Sequence, residues 1–157
     1  MRAVTIPQFG DASILTENEV VVPKPDLGEV TIDVAYAGVN YAEVLFRKGV
    51  VEDLPLPFVP GIEVSGTIRE IGQGVTGLVA GQPVAALTIV NGGGYAEVVK
   101  VSADLVIPLE QQMDRKAAAA FPSNVTTAMM ILSNVAHLKK GETILVHAAA
   151  GGVGSAI

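Results

Sequence analysis

Three short stretches of this chain hold groups whose types and spacing can do chemistry. "GVNYAE" places a carboxamide (Asn40), a phenol (Tyr41) and a carboxylate (Glu43) within four positions, groups able to orient a polar substrate or move a proton. "VTTAMMIL" carries Thr127, whose hydroxyl reads equally as a ligand contact or as a helical Thr bonding back to its own turn. "HAAAGGVG" follows the apolar run "ETILVH", and its Gly151, Gly152, Val153 and Gly154 can bring backbone N–H groups up to a phosphate. Cysteine is absent, which removes disulfides and thiolate metal sites, and His137 and His147 are too few for a metal constellation; no metal site is expected.

The last stretch reads as AxGxxG, with Ala149 where a first glycine is usual. Ala serves there if the turn needs no positive φ, while Gly151 lets backbone approach a phosphate and Gly154 lets helix and strand pack closely. Spacing alone fits a glycine-rich surface turn equally well. A literal GxGxxG occurs earlier, at Gly72, Gly74 and Gly77 in "GQGVTG". It is followed by "LVAGQPVAALTI", a turn and a strand instead of a helix, so it lacks the helix N-terminus that grips a pyrophosphate and reads as a β-turn. "NGGGYAE" fails the same test.

These groups must be held by two kinds of scaffold. From Met1 to about Leu109, short alternating runs ("RAVTI", "EVTIDVAYA", "VSGTIREI", "PVAALTIV", "YAEVVKV", "LVIPL") are broken by Gly and Pro, the pattern of a compact, mostly antiparallel β domain. "AEVLFRKG" has room for a helical turn or two. From Asp114 the texture becomes helical: "DRKAAAAF" and "NVTTAMMILSNVAHLKKG" suit helices with Asp114 or Asn124 as N-cap, His137, Lys139 and Lys140 at the C-terminal end and Gly141 as the left-handed stop. "ETILVHAAA" then reads as a strand buried in a parallel sheet, with His147 a satisfied core histidine. The expected division is 1–115 for the β domain and 116–157 for the start of an α/β domain.

Composition narrows the partners. Half of the 157 residues are hydrophobic and 17% are charged, a globular balance. Sixteen acids against ten bases give a net charge of −6 with no basic run, so nucleic acid is not expected. No apolar stretch reaches the roughly 18 residues needed to span a bilayer and no secretory leader opens the chain, which predicts a cytoplasmic protein.

Blocks through essentially all of the chain, "GEVTIDVAYAGVNYAEVLFRKG", "PFVPGIEVSGTIREIGQGVTGLVAGQPVAAL", "GGYAEVVKVSADLVIPL" and "LKKGETILVHAAAGGVGSAI", resemble the zinc-free quinone oxidoreductases of the medium-chain dehydrogenase/reductase superfamily. The resemblance implies a mostly β GroES-like catalytic domain, a partly open β-barrel, followed by the truncated start of a Rossmann domain that binds NADPH. Zinc-dependent relatives ligate the metal at the positions of Asn40 and Ile62 and relay a proton through Ser or Thr at the position of Ala42. None of these three residues fits that role. Losing a Lewis acid disfavours alcohol chemistry and leaves quinones or α,β-unsaturated carbonyls, which spread incoming charge through conjugation.

The same resemblance places Asn40 and Thr127 beside the nicotinamide and Gly151, Gly152, Val153 and Gly154 at the pyrophosphate. The rival reading of Asn40 is a turn residue in left-handed conformation. Tyr41 reads first as a packing side chain and second as a proton donor, with water as the other donor. Glu43 and Glu63 read as solvated or ion-paired structural acids. As a fragment the chain is expected to be inactive with NADPH until completed. Two alternatives remain: an enoyl reductase, and a non-catalytic GroES-like module whose exposed apolar strand forms a homodimer.

Overall fold

Apolar alternation turns into sheet wherever it was expected in the computed structural model, which describes residues 1–51 and 53–157. β3 (Glu29–Ala37), β4 (Glu63–Ile71), β5 (Pro83–Leu87), β6 (Val98–Ser102) and β7 (Val106–Pro108) make one antiparallel sheet in the order β6-β3-β4-β5-β7. Its two edges do not pair with each other among the described residues, so the barrel is partly open. β1 (Arg2–Thr5) pairs with β2 (Thr16–Glu19) as a separate ribbon, tied on by single bridges from Ala3 to Ala96 and from Ile6 to Phe58. β2 was not anticipated, for a physical reason. Its sequence "TENE" is exposed throughout and has no apolar face, so ladder bonds to β1 hold it in place of burial.

The core is the inner face of this sheet. Val30 and Ile32 of β3 meet Val64 and Ile68 of β4, Val84 of β5 and Val99 of β6, each no more than 2% exposed. β-Branched side chains suit this half-buried pleated surface. The β3–β4 ladder contains two irregularities. Between Thr31 and Ile32 the partner jumps from Glu70 to Ile68, leaving Arg69 as an extra residue in β4; between Val34 and Tyr36 the partner moves only from Gly66 to Ser65, leaving Ala35 extra in β3. The second bulge undoes the first. Gly66 lies there because β3 comes very near: a methyl group on it would collide with the Asp33 carbonyl oxygen and stand 2.8 Å from Ile32 Cγ2.

The early glycine motif is a turn, as its context indicated. Gly72 N–H donates to Glu29 O at 2.8 Å, Gly74 and Gly77 take positive φ, and β5 follows.

The helices gather at one end of β4. α1 (Tyr41–Arg47) bridges β3 towards β4, and a helical run follows β7: α2 (Arg115–Ala118), a π-type turn at Phe121–Val125, α3 (Thr126–Met129) and a second π-type turn at Met130–Val135. Asp114 caps α2 as expected, accepting from Lys116 N–H at 2.9 Å. Ser65 Oγ donates to Arg115 O at 2.5 Å, fastening this run to β4.

Three expectations for the C-terminal part need correction. The helical run stops before Gly141: His137 takes the left-handed conformation (φ 50°) and Leu138 N–H returns to Leu132 O at 2.9 Å, a six-residue closure that ends the helix there. Residues 142–147 form no strand, because no neighbouring strand offers them a ladder, and Leu145 is 84% exposed. His147 is correspondingly exposed and is no core histidine. Among the described residues no helix is long and apolar enough to cross a membrane.

Ile32→Ala removes a fully buried side chain from the centre of the core. Its expected cost is about 3 kcal/mol in urea unfolding, the usual range for such a truncation. Tyr36→Ala, at a site 47% exposed, should cost well under half of that.

Candidate functional site

Asn40 lies in the short link between the end of β3 and the start of α1. Its backbone is extended (φ −119°, ψ 163°), which rules out the left-handed turn reading, and it occupies the N-cap of α1. Glu43, three residues on, reaches back so that its Oε2 accepts from Asn40 N–H at 2.9 Å, the carboxylate half of a capping box. The Asn40 side chain also does longer-range work.

That work is an amide chain. Glu63, at the first position of β4 and 1% exposed, accepts from Asn40 Nδ2 at 2.7 Å through Oε1 and from the backbone N–H of Ser123 at 2.8 Å through Oε2. Asn40 Oδ1 accepts in turn from Asn124 Nδ2 at 3.2 Å. Asn124 then rests against the glycine-rich turn: a methyl group added to Gly152 would collide with Asn124 Oδ1 and stand 2.8 Å from its Cγ. Residues from β4, the β3–α1 junction, the helical run and the terminal turn thus converge. Gly38 makes room for this, since any side chain there would collide with the Glu63 carboxylate. Its N–H donates to Glu63 O at 3.1 Å.

The two glutamates are neither solvated nor ion-paired, contrary to expectation. Both are buried, and no cation pairs with them among the described residues. Backbone N–H donors take the place of a counter-ion: Glu43 Oε1 accepts from Ile62 N–H at 3.2 Å. Burial pushes the Glu43 carboxyl above its usual pKa, only partly offset by these N–H donors, and the nearby Glu63 charge adds to the rise. The Tyr95 hydroxyl is buried near Glu43 without a hydrogen bond of good geometry, and burial with that carboxylate holds it well above the ordinary phenol value.

The glycine turn itself is tight. Gly151 N–H donates to Ala148 O at 2.8 Å, Ser155 N–H to Gly151 O at 2.9 Å and Ala156 N–H to Val153 O at 3.0 Å. The N–H groups of Gly152 and Val153 have no backbone acceptor of this kind among the described residues. The positive φ of the turn falls on Ala148 (53°) and not on Ala149, so an alanine bears the left-handed conformation. Gly154 is needed for close packing, because a Cβ there would stand 2.7 Å from Ala149 Cα.

Of the residues anticipated from sequence, the structure brings together Asn40 and the Gly151–Gly154 turn, through Asn124. Tyr41 stands 70% exposed, so it is not a packing side chain, and Thr127 is exposed on α3 with no bond back to its own turn; neither joins the network. Asn124 reads from sequence as a helix cap, and the structure makes it a member of the network instead. Only its spacing of three before Thr127 hinted that both lie on one helical face. It lines a cavity of about 350 Å³ with Phe121, Gly152 and Ser155, while a larger, apolar cavity of about 420 Å³ lies between Ile131, Ile144 and Val153. Among the described residues no three Asp, Glu or His side chains converge as metal ligands.

Comparison with known proteins gives the family and the fold. Residues 26–111 match the alcohol dehydrogenase GroES-like domain. The rat quinone oxidoreductase is 37% identical over 99% of this chain and 48% of its own length. Among solved structures, the human synaptic vesicle membrane protein VAT-1 homolog-like protein superposes with a TM-score of 0.95 at 39% identity over 99% of this chain and 50% of that one. The Escherichia coli quinone oxidoreductase complexed with NADPH gives 0.92 at 27% identity over 98% and 47%. The chain spans 37% to 50% of the length of such relatives.

A pH dependence follows from Glu43. Its folded pKa lies above the ordinary 4.5, so folding favours its protonated form; this contribution is full below pH 4.5 and is lost as pH rises through the folded value. Urea unfolding of the native chain and Glu43→Gln across that window should show the native chain losing stability relative to the variant as pH rises. A difference that does not change with pH refutes the assignment.

Proposed function

The chain belongs to the alcohol dehydrogenase GroES-like domain family of the medium-chain dehydrogenase/reductases, and from that premise we propose that its residues form part of an NADPH-dependent, zinc-independent reductase of quinones or α,β-unsaturated carbonyls. The observation that carries the proposal is the convergence of Asn40 with the Gly151–Gly154 turn. Residues more than a hundred positions apart share one chain of contacts, with a carboxamide at one end and a glycine turn at the other.

The residues present fit a dinucleotide in two respects. Gly152 and Val153 offer backbone N–H groups, and a side chain at 152 would fill the space beside Asn124. They do not fit catalytic zinc: Ile62 has no ligating atom, and Asn40 is engaged with Glu63. On this reading residues 116–157 begin a Rossmann domain and residues 1–115 are the catalytic domain. When bound, the reduced nicotinamide supplies a hydride. The protein's part is to orient the acceptor: Asn40, locked by Glu63 and Asn124, offers its second N–H to the acceptor oxygen, which a conjugated carbonyl or quinone needs only for alignment. Tyr41, open to solvent, or water then returns the proton to the reduced oxygen.

A second reading has its own observation. Leu145 is 84% exposed and residues 142–147 are unpaired, so the chain can act as a non-catalytic module that dimerises by strand addition.

Titrating NADPH fluorescence against this polypeptide and against a longer chain containing it tests both readings. Binding by the longer chain, weakened at least tenfold by Gly152→Val, together with turnover of quinones, enones or enoyl thioesters in a substrate panel, is expected. Absence of binding by either chain, with a dimer in sedimentation, favours the module.

A further inference from the structure

The Glu63 carboxylate does more than fill a buried pocket, because its hydrogen bonds have a direction that propagates. An ionised carboxylate only accepts. Ser123 N–H can only donate, and it holds one oxygen at 2.8 Å. The other oxygen therefore has to face the NH₂ of Asn40, 2.7 Å away, which turns Asn40 Oδ1 outward. That oxygen in turn requires the NH₂ of Asn124, and so Asn124 Oδ1 is turned onto Gly152 and the cavity of about 350 Å³ beside it. No protein donor meets Asn124 Oδ1 among the described residues.

We propose that Glu63 and Asn124 are positioning residues: Glu63 fixes the sense of the Asn40 carboxamide, Asn40 fixes that of Asn124, and the result is a carbonyl acceptor held at the Gly151–Gly154 turn for a ligand group that donates hydrogen bonds, such as a carboxamide or a ribose hydroxyl. That a nicotinamide nucleotide brings this donor rests on the functional reading above. The orientation relay does not.

The direction of the chain makes it testable by reversal. In Glu63→Gln the new carboxamide keeps its oxygen on Ser123 N–H and turns its NH₂ on Asn40, which has to flip; Asn124, with no protein donor on its Oδ1 among the described residues, has to follow, so that the turn meets an NH₂ in place of a carbonyl. In Asn124→Asp an acceptor meets Asn40 Oδ1, which Glu63 will not let turn. Asn124→Asp should lower the thermal midpoint by several degrees, at about 2–4 °C per lost kcal/mol for a chain of this size, whereas Glu63→Gln should lower it by less. The double variant Glu63→Gln/Asn124→Asp runs donor to acceptor throughout in the opposite sense, and should melt above Asn124→Asp.

In ¹⁵N–¹H spectra, the Asn40 and Asn124 side-chain amide signals should move together in Glu63→Gln. A double variant no more stable than the sum of its singles, or an Asn124 signal unmoved when Asn40 shifts, overturns the relay. Should Glu63→Gln fail to fold, Asn124→Asp alone decides: an unchanged midpoint and an unmoved Asn40 amide signal overturn it, and a lowered midpoint with a moved signal upholds it. None of these measurements uses NADPH, so failure of cofactor binding and failure of the relay are separate results.

Discussion

A carboxylate buried without a cation is the constraint on which the site depends. Burying Glu63 is costly unless its oxygens are satisfied, and a broken partner leaves the charge stranded. Both oxygens are met by N–H donors from parts of the chain that are otherwise unrelated, the β3–α1 junction and the helical run. The groups that solve the solvation problem of Glu63 are therefore the groups that assemble the site. Gly38 belongs to the same solution, since its missing side chain leaves the volume that the carboxylate occupies.

On the proposed function, this arrangement suits chemistry without a Lewis acid. Where a metal polarises a carbonyl, it anchors the substrate by itself; where conjugation carries the charge, rate depends on alignment, and alignment depends on side chains that cannot rotate. Asn40 has its backbone N–H on Glu43, its NH₂ on Glu63 and its carbonyl on Asn124. A carboxamide held at three points is a better template than one left to solvent.

The β framework was readable because its signal is local. "EVTIDVAYA" and "PVAAL" alternate or run apolar between turn residues, and both strands fall where those patterns lie. β2 was hidden because "TENE" is held by ladder bonds to β1 and has no buried face. Asn40 and the glycine turn were legible as residue types at family positions. The buried state of Glu43 and Glu63 was not, because whether an acid is solvated depends on donors brought from 19 and 60 positions away. Asn124 was mistaken for a cap for the same reason: Asn suits an N-cap, and its partner lies 84 residues upstream. Residues 142–147 read as a buried strand from composition, but a strand needs neighbours that composition does not supply.

The paired bulges in β3 and β4 bear on how this fold can change over time. Arg69 is an insertion on one strand and Ala35 an insertion on the other, and together they leave Ala37 opposite Val64, beside Gly38 and Glu63. Deleting either one would erase that bulge and the bend it puts into the ladder, while the pairs on each side of it stay matched. Lineages of this fold can therefore gain or lose a residue at these two points with a change of local bend, whereas a single insertion elsewhere in the ladder would itself have to become a bulge.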